Sequence, residues 1–190
     1  MKKLVLLCGP FTSRSGYGDH ARSIFYPIYD SEKYDVKLWD VRWGDTPRTF
    51  LSDNSDEVAK IKKCLLREPN LERQPDIYID IRIPNEFETF GKFNIGITAG
   101  IETTAVSQIW LEGCNKMNLN IVPSNHSKLG FTNTFYDKMQ DTPDGTKTKI
   151  GQLSLNKPIM LNFQIVLHKL QKVREFFPQA KKLLHPLAVP

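Results

Sequence analysis

The apolar positions of this chain switch between two spacings, and the switches mark out its elements. Lys3–Cys8 is a near-continuous apolar run closed by Gly9-Pro10, the pattern of a strand buried on both faces of a parallel sheet. From Asp19 to Tyr29, the residues Ala21, Ile24, Phe25 and Ile28 recur at spacings of 3, 1 and 3, which predicts an amphipathic helix beginning near Gly18. Tyr34–Asp40 alternates as a second strand. Asp53, Asn54 or Ser55 can cap a helix running to Arg67, with Val58, Ile61, Leu65 and Leu66 on one face and Pro69 closing it. Asp76–Ile83 alternates Ile and Tyr with Asp and Arg until Pro84 ends it. A strand at Asn94–Thr98, a helix at Thr104–Asn115, a strand at Leu119–Val122 and a helix at Ser124–Tyr136 follow. Beyond a turn cluster at residues 141–145, Thr146–Leu153 and Lys157–Gln164 are expected to pair as a hairpin across Ser154–Asn156.

Strands alternating with helices of this length predict an α/β fold: a doubly wound, mostly parallel Rossmann-like sheet with helices on both faces, plus the small hairpin and a C-terminal helix. Right-handed crossovers would then bring the carboxyl ends of the strands to one edge, where such sheets bind their ligands. Four loops are expected there: Gly9–Tyr17, Asp40–Thr46, Thr98–Thr103 and Pro123–His126. The expected organisation is one domain over residues 1–164 and a basic amphipathic tail over 165–190, in which Val166, Leu170, Val173 and Phe177 share a helix face broken by Pro178.

Composition narrows the function classes. A chain of 190 residues, 40% hydrophobic and 25% charged, can bury an ordinary core. The formal charge of +5 sits at one end: residues 1–143 hold 18 Lys+Arg against 19 Asp+Glu, and residues 144–190 hold 8 against 2. With no arginine-rich or zinc-finger pattern beside that tail, nucleic acid is not an expected partner. Cys8, Cys64 and Cys114 show neither a CxxC pair nor zinc spacing, which fits buried thiols in a reducing, cytoplasmic compartment. The run Leu4–Cys8 is too short for a signal peptide, and no apolar run approaches the roughly 20 residues of a membrane span.

The loop after the first strand reads GPFTSRSGYGDHAR. Gly16-x-Gly18-x-x-Ala21 meets the dinucleotide pattern, and Asp40 ends the second strand where a ribose-binding carboxylate would belong. Seven residues, Gly9 to Ser15, separate Cys8 from Gly16, however, whereas the dinucleotide turn leaves its strand directly. What remains general is that glycines at a helix N-terminus expose backbone N–H groups to an approaching diphosphate, set against a plain flexible turn. Trp39 and Trp43 flank the exit of the second strand, where stacking on a sugar ring and packing into the core are both open. Asp76 and Asp80 face one side of their strand and form no D-x-D, and no such motif occurs elsewhere, so no metal site is expected.

Three segments resemble glycosyltransferases of the GT-B fold, in particular those of tailed phages and bacteria. They are the loop SGYGDHAR (Ser15–Arg22), the stretch Ile95–Thr104 with its Gly-Ile-Glu-Thr-Thr, and WLEGCNKM (Trp110–Met117) followed by Val122-Pro123-Ser124. The resemblance covers roughly residues 1–164. It implies an acceptor-side domain that acts with a second, donor-side domain to transfer a sugar from a nucleoside diphosphate sugar to a glycan or other acceptor. The reaction it implies has no cofactor and no essential metal, helix N-termini and basic side chains neutralising the leaving diphosphate.

Carried onto this sequence, Ser15, Gly16, Tyr17, Gly18 and His20 would face diphosphate or acceptor. Glu102, Thr103, Thr104, Ser124, Asn125 and His126 would line the site above the fourth and fifth strands. Some relatives place a catalytic His near Thr98–Glu102; this chain has Ala99-Gly100 there, so the general base is either Glu102 or absent. The same residues have plainer readings. Glu102, Thr103 and Thr104 would open a helix as a capping box, Ser124 or Asn125 would cap the next, and His20 and His126 would be solvated polar residues. No Glu has another Glu eight positions later, so the donor pair of the family is absent. The tail accordingly reads as a truncated or degenerate end, and its apolar face is compatible with a homodimer or a separate donor-domain chain. The alternative to an enzyme half is a stand-alone Rossmann-type module that binds nucleotide, sugar or protein without turnover.

Overall fold

The computed structural model describes residues 2–161 except Pro69 and Asp144, with the side chain of Leu161 also outside the description. The tail helix expected at 165–190 lies outside the described residues. Within them the fold is mixed α/β. Its strands are β1 (Lys3–Gly9), β2 (Tyr34–Asp40), β3 (Ile77–Ile81), β4 (Phe93–Ile97), β5 (Leu119–Val122), β6 (Phe135–Asp141), β7 (Lys147–Ser154) and β8 (Ile159–Leu161), and its helices are α1 (Gly16–Asp30), α2 (Asp56–Cys64), α3 (Gln108–Lys116) and α4 (Asn125–Asn133). Six strands form a mostly parallel, helix-flanked sheet in the order β2-β1-β3-β4-β5-β8, consistent with a Rossmann-like organisation, and β6 and β7 form a separate antiparallel pair.

The chain divides into two compact units: residues 2–81 with Phe90–Asn94, and Arg82–Thr89 with residues 95–161. In the first, β1 is central because six of its seven residues are buried, and it pairs in parallel with β2 (Leu7 opposite Leu38) and β3 (Leu7 opposite Ile79). The amphipathic pattern of α1 buries Ala21, Ile24 and Phe25 as its spacing requires. Ser15 caps α1 and Ser55 caps α2, each accepting the N–H three residues on, an arrangement worth about 1 kcal/mol apiece. Helix α2 stops at Cys64 rather than Arg67. Leu65 turns extended and bridges Leu38, and the Leu66 N–H donates to the Leu38 carbonyl at 2.9 Å, so these two apolar residues extend the sheet edge instead of a helix face.

The second unit closes over Phe87, Val106, Leu111, Cys114, Met117, Val122 and Phe131, with Trp110 stacked on Phe131 at 6.0 Å. Three expectations are corrected here. The helix expected from Thr104 starts only at Gln108, because Val106 is buried outside it and fastened at both ends: its N–H donates to Thr134 Oγ1 at 3.0 Å and its carbonyl accepts from the Tyr136 hydroxyl at 2.7 Å. The same contacts end α4 at Asn133, so Tyr136 belongs to a strand. The expected hairpin is also re-paired, β7 folding back on β6, not forward on the residues after 156. Asn115 explains this, since its amide binds the Ser154 carbonyl at 2.8 Å and its side-chain oxygen takes the Asn156 N–H at 2.9 Å, tying the expected turn to α3. The chain then enters β8, parallel to β5.

Candidate functional site

In the first unit the carboxyl ends of β1 and β2 carry a loop, Pro10–Ser15, and a strap, Val41–Asp53, fitted to one another. A tight turn begins the loop, the Phe11 N–H returning to the Gly9 carbonyl at 3.0 Å and the Ser13 N–H to the Pro10 carbonyl at 3.1 Å. Ser15 Oγ accepts the Gly18 N–H at 3.1 Å and the Ser13 hydroxyl at 2.9 Å, and Ser13 Oγ lies 2.7 Å from Thr46 Oγ1 on the strap. The Thr46 hydroxyl donates to the Trp43 carbonyl at 2.6 Å. Trp43 in turn lies against Tyr17, ring centroids 4.2 Å apart and tilted by 30°. Both rings are half-buried, leaving part of each open to solvent.

The glycines of this loop differ in kind. A Cβ at Gly16 would meet nothing within 4 Å, whereas at Gly18 it would lie 2.3 Å from the Ser13 carbonyl oxygen. Gly18 is thus required by close packing of loop on helix. His20 is half-buried beside them, and burial holds its imidazole below the ordinary value of 6.5, so it is neutral near pH 7.

All four arginines of residues 10–53 are paired. Arg14 bonds both carboxylate oxygens of Asp53 through Nη2, at 3.1 and 2.9 Å, and reaches Thr49 Oγ1 through Nε. Arg42 pairs with Asp45 at 2.7 Å, and Arg22 with Asp19. Arg48 donates to Asp40 at 2.6 Å, and Thr12 supplies Asp40 with both its N–H (2.9 Å) and its hydroxyl (2.8 Å). Asp40, raised above as a ribose ligand, has both oxygens engaged in fixing the loop.

In the second unit, the carboxyl ends of β4 and β5 bring a different set together. Thr98 is buried, with its N–H on the Ile121 carbonyl at 3.2 Å. Gly100 has φ +82° and packs so closely on Ser127 that a Cβ would stand 2.3 Å from its Oγ. Ser124, not Asn125, caps α4: its Oγ accepts the Ser127 N–H at 3.1 Å and lies 3.1 Å from Ser127 Oγ. The His126 Nε2–H donates to the Glu102 carbonyl at 3.2 Å, joining the two loops. Glu102, Thr103 and Thr104 are exposed in the loop before α3 and open no helix, so the capping-box reading does not hold. The Thr103 hydroxyl donates to the Ala105 carbonyl at 2.6 Å, and Asn125 is the exposed first residue of α4.

Sequence reasoning missed Arg22, Thr12, Arg48 and Phe50. Arg22 carried a signal: it sits between Ala21 and Ile24 on the buried stripe of α1, where a cation needs a dedicated set of acceptors. The others are joined across 28 to 38 residues and had no local signature. Among the described residues, no group of three or more His, Cys, Asp or Glu side chains could hold a metal ion, and no helix is long and apolar enough to cross a membrane. No protein-family model matches the chain, and no curated protein or solved structure matches it.

Proposed function

We propose that this chain is an acceptor-side, Rossmann-like domain of a GT-B-like glycosyltransferase, and that its first unit receives an uncharged carbohydrate on the Tyr17–Trp43 surface. The observation that carries the reading is the combination at that surface: two stacked, partly open aromatic rings beside the Ser13–Ser15–Thr46 hydroxyls, with each neighbouring arginine neutralised by its own aspartate. Aromatic faces with flanking hydroxyls suit the C–H faces and hydroxyl rims of sugar rings. A diphosphate would instead have to displace a carboxylate from each arginine it used. The motif resemblance of Ser15–Arg22 and Ile95–Ser124 supports the enzyme class, with the donor nucleotide sugar held by a separate chain or domain.

In the second unit Glu102 is the candidate general base, exposed and with its backbone fixed by His126. NMR titration of the chain with neutral oligosaccharides and with UDP- and GDP-sugars tests the proposal. The expected result is perturbation of Tyr17 and Trp43 signals by the oligosaccharides. Perturbation by the nucleotides alone would replace it with the nucleotide-binding module, and silence from both would refute each.

A further inference from the structure

We propose that Arg22 is the positioning residue of the first unit's site: it clamps the strap Val41–Asp53 to the loop after β1 and so fixes Trp43 against Tyr17. Its bearing on carbohydrate binding rests on the reading above; the clamp itself does not. The Arg22 side chain is 4% exposed while its carboxylate partner Asp19 is 77% exposed, so the ion pair is not what draws the guanidinium inward. Its inner contacts are of another kind. Nη1 donates to the Phe11 carbonyl at 2.7 Å and to the Ser13 carbonyl at 2.8 Å, and the guanidinium carbon lies 3.8 Å from the centroid of the Phe50 ring. A helix, a loop and a strap thus meet on one planar cation, whose donors point in its plane while its face covers an aromatic ring.

Two routes lead from this cation to Trp43. One runs through the loop: the Ser13 carbonyl is held by Arg22, and the Ser13 hydroxyl meets Thr46, which holds the Trp43 carbonyl. The other runs through the strap. Phe50 is fixed by its ring on Arg22 and by its N–H on the Thr12 carbonyl at 3.2 Å, and the Arg14 N–H on the Pro47 carbonyl at 3.0 Å fixes the stretch between Phe50 and Trp43. Removing the guanidinium strips a donor from two loop carbonyls and the cover from Phe50 at once. Lysine at this position keeps the charge and a donor but not the planar face with its in-plane bonds.

The test uses the full chain without ligand, reading the nuclear Overhauser contacts between the Tyr17 and Trp43 rings, with the indole signal assigned through Trp43→Phe. Arg22→Met is expected to lose those contacts while the signals of the second unit persist, and to weaken neutral oligosaccharide binding at least tenfold. Arg22→Lys, which keeps the charge but not the planar fork, is expected to fall between Arg22→Met and the parent in both ring contacts and binding, an order that a position needed only for packing would not show. Should Arg22→Met fail to fold, Phe50→Leu, which removes only the ring, is expected to weaken the same contacts. Unchanged ring contacts in folded Arg22→Met, or in Phe50→Leu when the first variant does not fold, would overturn the proposal even if thermal stability fell. A parent chain that binds no carbohydrate but shows the expected ring contacts and their loss would overturn the acceptor reading and leave the clamp intact.

Discussion

The two glycines of the α1 entry allow packing and ligand access to be separated by one pair of substitutions. In Gly18→Ala, the new methyl group would stand 2.3 Å from the Ser13 carbonyl oxygen and 3.0 Å from both the Pro10 carbonyl oxygen and Arg22 Nη1. Ordinary contact needs roughly 1 Å more than the shortest of these, and the Ser13 carbonyl can yield only by leaving Arg22, to which it is bonded at 2.8 Å. Forcing a methyl into a packed site costs about 1–3 kcal/mol, and a hydrogen bond to a charged group about 1.5–3 kcal/mol. Alanine's better helix propensity returns at most about 1 kcal/mol. The net expectation is a loss of about 2–4 kcal/mol. With a urea dependence near 2 kcal/mol per molar, the unfolding midpoint falls by about 1–2 M. Gly16→Ala meets nothing within 4 Å and is expected to leave the midpoint unchanged or raise it slightly. Urea titrations followed by tryptophan fluorescence measure both. Equal midpoints for the two variants would refute the packing argument and return both glycines to the role of opening backbone N–H groups to a ligand.

Gly100→Ala places a methyl group at φ +82° and 2.3 Å from Ser127 Oγ, so thermal melts should show a loss of about 2–3 kcal/mol, of which Ser127→Gly in the same chain restores the part due to the clash. The Asp76 carboxylate is held well below its ordinary range by Lys92, the Leu4 N–H and Arg73. Because its folded value is depressed, its contribution is complete above the ordinary value near 3.8 and is lost as pH falls through the folded value. Urea midpoints should therefore drop below pH 4 in the parent and respond less in Asp76→Asn. Burial pushes the Cys114 thiol up to about 12, so at pH 8 Ellman's reagent should modify it only after urea unfolds the chain. On the proposed reading, Glu102→Gln should abolish any sugar transfer while leaving the Tyr17 and Trp43 perturbations by oligosaccharide in place; retained turnover would remove Glu102 as the base.

Elements set by their own residues were legible in the sequence, and elements set by distant partners were not. The bounds of β2 and β5 match the reading, and those of β1 and α1 differ from it by one to three residues. By contrast, Leu65 and Leu66 continue the helical face of α2 perfectly well, and only β2 beside them makes the extended form better. Val106 likewise fits a helix by spacing, yet Thr134 and Tyr136, about 30 residues away, take both its backbone groups. The candidate site divides the same way. Its location at strand ends was legible, as was Ser124 as one of two candidate caps, because capping is a three-residue affair; Ser15, read as facing a ligand, is a cap as well. The Tyr17–Trp43 stack was not, since the sequence offered Trp43 a sugar or the core but no means of choosing a partner 26 positions earlier.

Pairing the four arginines changes what the basic character of the chain means. The excess of positive charge lies in residues 144–190, and the loop that resembles a phosphate cradle is surrounded by cations that each already face a carboxylate. Three of those pairs are exposed at the arginine, so each contributes little to stability by itself and is screened further by salt. Their effect is on recognition. An anion near Tyr17 gains from each guanidinium and loses nearly as much from its aspartate, whereas an uncharged ring gains from the aromatic faces and hydroxyls with no such opposition. Under the proposed function, the acceptor is the substrate such a surface would favour. On the proposed reading, an oligosaccharide titration of this chain should therefore be insensitive to salt, whereas any binding of an anionic nucleotide sugar should weaken as salt rises.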